Sequence, residues 1–312
     1  MAKKITTIGG QALMEGIMMV GPKRTTAAFC SENGTISTED ISVSRITKKY
    51  PILGKPFIRG VFAMADTFRL GYKALSLSAD KVTEDLGEEE LTGLDKWLDE
   101  HLGDKLTGII MTIGTVLGLG LAIVLFFMLP TFLFNLLQGA LPGDISGWRS
   151  VFEGVLRIGI FVGYVLMVSQ MKEIRRTFQY HGAEHKTIFC YEADLPLTVE
   201  NVRGQGRFHP RCGTSFMILM LLLGIIVGFF IPFSNPVLRT VVKLLCIPVI
   251  VNLGYEVQKA CARHDNLLCR LITAPGLWMQ RITVKEPDDK MIEAAIAAME
   301  AVIPENGEDL VR

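Results

Sequence analysis

The sequence has little charge and no surplus of either sign. Only 21% of its 312 residues are charged, and 32 Lys and Arg residues balance 32 Asp and Glu residues. Soluble domains usually contain about 25% charged residues, and a nucleic-acid partner would require an excess of basic residues. Together with a hydrophobic content of 49% and a mean hydropathy of +0.35, this balance predicts a membrane protein with no nucleic-acid partner.

Paired cysteines and a signal sequence are also lacking. The six cysteines are scattered without the regular spacing of a disulfide framework, so we expect reduced thiols. The basic start of the chain is not followed by an apolar run of signal-peptide length. We therefore expect the first segment to stay in the cytoplasm.

Long apolar runs predict four membrane spans. As a single helix, the uncharged residues 106–137 would extend about 48 Å, against a hydrocarbon core of about 30 Å. We expect a break at Pro130, which would leave one spanning helix and an interfacial remainder. The other three spans are predicted at 151–171, 216–231 and 237–255.

Four ionisable residues lie near the ends of these spans. Glu153 and Arg157, one helical turn apart, are expected to pair at the headgroups. Arg239 and Lys243 are expected to snorkel outward. The spans show neither intramembrane carboxylates nor an inverted repeat, which disfavours a transporter.

The distribution of basic residues predicts the orientation. Loop 172–215 carries seven Lys and Arg residues, whereas loop 138–150 carries only Arg149. Positive charge favours the cytoplasmic side, so we expect the long loop and both termini to be cytoplasmic. The polar parts are then an N-terminal region (1–105), the loop (172–215) and a C-terminal region (256–312).

The N-terminal region has three predicted parts. Asn33-Gly34 between two short β-type runs indicates a hairpin, and hence a small β element. Residues 57–79 suit an interfacial amphipathic helix, and residues 84–104 form an acidic connector. The predicted fold class is therefore mostly α: a polytopic helical membrane protein with about four transmembrane helices and a small N-terminal cytoplasmic α+β region.

Histidines are concentrated in loop 172–215. On a helix, His181 and His185 share one face at the i, i+4 spacing that allows two imidazoles to bind one metal ion, with Glu184 close by. The pattern H-x-x-E-H is the inverted form of a zinc-protease signature. A turn at His209-Pro-Arg-Cys212 could deliver a third and a fourth ligand.

The number of ligands decides the role of such a site. Three histidines would leave a position open for water, as in catalytic zinc sites, whereas three histidines and Cys212 would form a closed, structural site. In a third interpretation, His181 and His185 hydrogen-bond to carbonyls or lipid phosphates, and Cys212 is a buried small hydrophobe. The sequence leaves these alternatives open.

Six further residues are candidates for an outer shell or for substrate contact. Glu15 is an acid in a Gly-rich turn, and His264 with Asp265 could orient a ligand histidine. Three arginines could steer an anionic substrate or anchor the loop by the positive-inside rule; these are Arg203, Arg207 and Arg211.

Four segments resemble one known family. GGQALMEGIMM, YHGAEHKTIFCYE, GRFHPRCGTSF and TAPGLWMQRITVKEPDD are similar, in this order, to the YqhQ family of bacterial integral membrane proteins, which has a domain of unknown function. The resemblance covers nearly the whole chain. It implies a multi-pass protein of the bacterial inner membrane, and a suspected metal-dependent enzyme through the motifs of His181, Glu184, His185, His209 and Cys212.

These observations lead to one leading hypothesis of function. His181, His185 and His209 would hold zinc or another divalent transition metal, and Glu184 would be the base that takes a proton from water. The substrate would be a lipid headgroup or a membrane-bound peptide. The alternative is a non-catalytic membrane-biogenesis or scaffolding protein with a structural metal site.

Overall fold

A computed structural model describes residues 4–31, 33–86, 112–262, 264 and 266–310. The chain divides into two compact units. The first unit comprises Met1–Asp85, Val165–Leu219 and Asn252–Arg312, and the second comprises Leu86–Tyr164 and Met220–Val251.

The first unit contains a four-stranded antiparallel sheet in the order β1-β2-β3-β4. Its strands are β1 (Gly9–Leu13), β2 (Gly16–Val20), β3 (Thr25–Cys30) and β4 (Ile36–Asp40). The predicted hairpin at Asn33-Gly34 is confirmed between β3 and β4, with Gly34 at a φ of +79°. The β1–β2 hairpin was not predicted, because β2 is buried on both faces and its apolar run shows no alternation.

The described helices are α1 (Ile46–Lys49), α2 (Arg59–Leu86), α3 (Thr112–Ala140), α4 (Arg149–Val168), α5 (Lys172–Glu192), α6 (Val199–Arg203), α7 (Gly213–Gly228), α8 (Pro236–Cys261), α9 (Leu267–Thr283) and α10 (Asp289–Glu300). Two short 3₁₀ turns lie at Pro51–Gly54 and Ser146–Trp148.

Helices cover both faces of the sheet. α5 and α10 pack on the face that carries Ile17 and Met19, and α2 packs on the face that carries Met18. The helix predicted at 57–79 thus buries its inner side against the sheet, while Phe68 and Tyr72 stay exposed. Most of the predicted acidic connector, residues 87–104, lies outside the described residues.

Three described helices are long and apolar enough to cross a membrane. They are Thr112–Ala140, Ser146–Val168 and Pro236–Cys261. The predicted span 216–231 corresponds to α7, whose 16 residues make it a shorter apolar helix. Among the described residues the structure therefore supports a mostly helical fold with three candidate spans and a small N-terminal sheet.

α3 passes through Pro130 without ending there. A π-helical turn at Val124–Met128 precedes the proline, and the helix continues to Ala140. Proline has no N–H to donate to the carbonyl four residues earlier, which is that of Phe126. The Arg157 Nε donates to this carbonyl at 2.7 Å, so a side chain of α4 stabilises the helix where a break was predicted.

Charged side chains in the second unit pair inward. Arg239 is 1% exposed, and its Nε donates to both oxygens of Glu153, at 2.9 and 3.0 Å. The Lys243 Nζ donates to the same carboxylate at 2.5 Å. The prediction that Arg239 and Lys243 snorkel outward is therefore wrong, because the buried carboxylate of Glu153 accepts from both. The predicted pair of Glu153 and Arg157 is replaced by these two bonds.

Candidate functional site

α5 brings three of the predicted site residues together. It is helical over Lys172–Glu192, as the spacing predicted, so His181 and His185 lie one turn apart. Their ring centroids are 4.5 Å apart with an interplanar angle of 64°. Glu184, between them in sequence, lines the same cleft.

Cys212 completes a cluster of three side chains that could hold a metal ion. It lies just before α7, and its Sγ is 3.2 Å from the His181 Nε2. One ligand atom from each of His181, His185 and Cys212 lies within 4.8 Å of the others. Two of these side chains are buried and His181 is half-buried, so the cluster is sheltered but reachable from the cleft.

Backbone carbonyls fix the tautomer of both histidines. The His181 Nδ1 is 3.0 Å from the Thr283 carbonyl, and the His185 Nδ1 is 2.6 Å from the Arg207 carbonyl. A carbonyl can only accept, so each Nδ1 donates a proton and each Nε2 keeps its lone pair. Hydrogen bonds of this kind orient metal-binding histidines in proteins. Sequence reasoning missed both partners, since a main-chain carbonyl carries no signal in the residue type.

A glycine allows the segment that follows Thr283 to approach α5. A Cβ at Gly182 would lie 1.9 Å from the Lys285 carbonyl oxygen. Only the missing side chain lets the segment after α9 cross α5 at this point. The Lys285 N–H donates to the Phe178 carbonyl at 2.8 Å, which holds the crossing. Thr283 is thereby placed beside His181.

His209 lies next to the cluster without belonging to it. Its ring centroid is 5.5 Å from that of His185, and its Nε2 is 3.9 Å from Glu192. Gln280 holds its backbone on both sides, accepting from the His209 N–H and donating to its carbonyl, both at 2.8 Å. Burial lowers the pKa of His209, although Glu192 acts in the opposite direction. His209 therefore lies beside an acid, Glu192, that sequence reasoning did not single out.

Glu184 is a buried carboxyl group at the cleft. It is 7% exposed, and its Oε1 accepts the Gly10 N–H at 3.0 Å. Burial raises the pKa of Glu184, while His181 and the Gly10 hydrogen bond act in the opposite direction. A raised pKa suits a group that must both take up and release a proton.

The Gly-rich segment contributes a backbone rather than an acid. Gly10 contacts Glu184, whereas Glu15 lies in the turn after β1 at a φ of +48°. There Glu15 forms an ion pair with Arg176 of α5. The structure therefore places Glu15 in a hairpin contact outside the His/Cys cluster.

The three candidate arginines are each paired with an acid. Arg203 pairs with Asp289, Arg207 with Glu286, and Arg211 with Glu192. Of the three, Arg211 lines the cleft. His264 is exposed and does not belong to the cluster, and Asp265 lies outside the described residues.

The cluster opens into a cleft of about 910 Å³. One wall is formed by residues 5–12, which include β1 up to Ala12. α5 contributes His181, Glu184 and His185, and the turn before α7 contributes Cys212. A molecule in this cleft can therefore reach the three ligand atoms and the Glu184 carboxylate together.

Comparisons with known proteins agree on one family. The family model described as "Protein of unknown function (DUF1385)" matches residues 55–305. The "Uncharacterized protein YqhQ" of Bacillus subtilis (strain 168) is 32% identical over 296 residues, which are 95% of this chain and 92% of that protein. No solved structure matches the chain.

Proposed function

Since the chain belongs to the DUF1385 family and is similar to YqhQ, whose descriptions name no activity, we propose a function from the site itself. We propose that the protein is a metal-dependent hydrolase of a membrane-associated substrate. The observation that carries this proposal is the three-ligand cluster beside a buried acid. The candidate membrane helices support a substrate held at or near the bilayer.

His181, His185 and Cys212 would hold the metal. Two neutral imidazoles and one thiolate are ligands that Zn²⁺ and related divalent transition metals prefer. Three protein ligands leave a fourth position for water or substrate, which is the arrangement of catalytic zinc sites. His209 fits better as a neutral neighbour than as a ligand, because Glu192 and Arg211 surround its ring nitrogens.

Glu184 would be the general base and acid. A bound metal would polarise the scissile carbonyl and make water more acidic. Glu184 would take a proton from the attacking water and pass it to the leaving group. The Gly10 N–H fixes the orientation of its carboxylate for this task.

Matched histidine variants test the ligand set. His181→Ala should lower the metal content of the detergent-purified protein at least about tenfold, because the two remaining ligands hold an ion poorly. His209→Ala is the control, and it should keep the metal. The metal content is measured by mass spectrometry after dialysis, and equal retention in both variants would refute the ligand assignment.

Glu184→Gln tests catalysis. The amide can still accept the Gly10 N–H but cannot take a proton, so the variant should keep its metal and lose at least about 100-fold in rate. The rate is measured in proteoliposomes with a panel of phospholipids, lipid esters and casein. A Glu184→Gln variant as active as the wild type would indicate a structural metal site instead.

A further inference from the structure

β1 is an edge strand, and its outer side is a wall of the cleft. The strand order places β1 at the end of the sheet, and residues 5–12 line the cleft. A strand edge presents a row of main-chain N–H and C=O groups that can pair with another extended chain. The wall therefore has the chemistry of a peptide-binding surface.

The register shows which groups point into the cleft. β1 and β2 are joined by a two-residue turn, and Leu13 pairs with Gly16. In such a hairpin the residues flanking the turn are hydrogen-bonded to each other, so residues 9, 11 and 13 face β2. The main-chain groups of Gly10 and Ala12 then face outward. The hydrogen bond from the Gly10 N–H to Glu184 agrees with this direction.

The wall leaves room for a second backbone. The cleft has a volume of about 910 Å³ along residues 5–12, and Gly10 has no side chain. A strand added to β1 would lie about 4.8 Å from it, alongside the carboxylate that accepts the Gly10 N–H. The N–H groups of Thr6, Ile8 and Gly10 already donate to Glu192, Thr6 Oγ1 and Glu184. The Gly10 carbonyl and the Ala12 N–H are the groups of this edge that can hold a peptide.

The two cations that line the cleft, Arg211 and Lys259, do not favour a lipid phosphate, because both already interact with other groups of the protein. Arg211 pairs with Glu192 and also donates to the Thr6 carbonyl at 2.8 Å. Its guanidinium is thus committed to the protein. Main-chain pairing requires no charge on the ligand, so the wall matches a peptide better than a headgroup.

We propose that the substrate is an extended peptide segment that adds to β1 as a further strand. This inference rests on the proposed function, since it names the substrate class of the same site. Strand addition is a general mode of peptide recognition in which main-chain hydrogen bonds provide the affinity. It would hold a peptide bond of the added strand beside the His/Cys cluster.

The reaction is the hydrolysis of that peptide bond. The water oxygen forms a bond to the carbonyl carbon, and the C–N bond breaks. One product is a carboxylic acid and the other an amine. Glu184 carries one proton of the water to the leaving nitrogen, so that no further reactant is needed.

Proline substitution on the edge strand tests the binding mode. Ala12→Pro removes the outward N–H and keeps the ladder to β2, because proline is tolerated on strand edges. Thr38→Pro is the matched control, since Thr38 is exposed on β4, at the opposite edge, and the register also directs its N–H outward. Both changes are made in the full-length Glu184→Gln chain, treated with EDTA and placed in nanodiscs.

Binding of fluorescein-labelled casein, an unfolded polypeptide, is measured by fluorescence anisotropy. Ala12→Pro should weaken casein binding at least about tenfold, because a main-chain hydrogen bond is lost and the proline ring occupies space at the strand edge. Thr38→Pro should leave it unchanged. Equal affinity in the Ala12→Pro and Thr38→Pro proteins would overturn the proposal.

Hydrogen exchange on the unmodified sequence provides a test without substitution. Casein should protect the amides of β1 and leave those of β4 unchanged. Protection of β1 by dioctanoyl phosphatidylglycerol, with none by casein, would assign the cleft to a lipid and overturn strand addition. Casein binding at β1 without hydrolysis by the metal-loaded protein would refute the hydrolase and support strand addition, so the two failures are distinguishable.

Discussion

Gly10 is a residue whose missing side chain decides the geometry of the site. A Cβ there would lie 2.7 Å from the Met18 carbonyl oxygen and 3.0 Å from the carboxyl carbon of Glu184. The first contact is with backbone of the neighbouring strand, which cannot rotate away. The strand and the Glu184 carboxylate can therefore approach each other only at a glycine.

Gly10→Ala should destabilise the protein by about 1–3 kcal/mol, the usual cost of overpacking. Gly9→Ala is the control, because a Cβ at Gly9 meets nothing within 4 Å; its effect should stay within about 0.5 kcal/mol. Thermal unfolding of the two variants in the same detergent measures both effects. An equal loss in both would show that the contact with Met18 is not limiting.

The sequence predicted which side chains of the candidate site come together on α5. It did not predict the main-chain carbonyls that orient them. The i, i+4 spacing of His181 and His185 follows from the period of a helix, and the structure confirms it. The backbone of His209, which lies outside the cluster, is held by Gln280, 71 residues away in sequence. Spacing alone carries no information on such a contact.

At the scale of the element, α3 shows how a helix continues through proline. The Phe126 carbonyl loses the N–H of residue 130 as a donor and gains the Arg157 side chain, which also lies over the Phe127 ring. The predicted helix break at Pro130 took account of the missing proline N–H. It did not take account of a hydrogen-bond donor from another helix. A local pattern cannot reveal that donor, because α4 lies later in the chain.

Arg157→Leu should destabilise the protein by about 1–3 kcal/mol, the cost of leaving the part-buried Phe126 carbonyl unsatisfied. In the Pro130→Ala background the cost should be smaller, since Ala at position 130 restores an N–H that can bond to the Phe126 carbonyl. Denaturation of the four proteins of this double-mutant cycle measures the coupling. Additive effects would contradict the proposed role of Arg157.

In the sheet, too, the features set by neighbouring residues in sequence could be predicted, and those set by packing against distant helices could not. The turn residues Asn33 and Gly34 predicted the β3–β4 hairpin, because few other pairs favour the required backbone angles. β2 carries a continuous apolar run, which the sandwich between α2 and α5 explains. Because α2 and α5 bury β2 on both faces, its apolar residues do not alternate with polar ones. The sequence of β2 alone therefore did not identify a strand.

At the scale of the whole molecule, the number of membrane crossings determines the topology. Three described helices have the length to cross, and α7 has 16 residues, or about 24 Å as a helix. If α7 also crosses, as the pattern of basic residues predicts, both termini lie on the same side. If it does not, they lie on opposite sides.

Reporter fusions after Gly103, after Asp194 and at Arg312 should all report the cytoplasm, and a fusion at Asp144 should report the opposite side. The positions after Asp194 and at Arg312 flank α7 and α8, and so test whether both helices cross. Opposite signals at these two positions would establish an odd number of crossings between them, so that α7 and α8 would not both be spans.

The first unit is assembled from three separate stretches of chain, and this has a consequence for biosynthesis. Thr6 forms a β-bridge with Leu310, and the carbonyl that orients His181 belongs to Thr283. Residues of all three stretches must therefore be synthesised, the apolar helices among them, before the proposed metal ligands are held in place. Under the proposed function, the nascent protein would remain inactive until the stretch that carries Thr283 has been made, after the apolar helices.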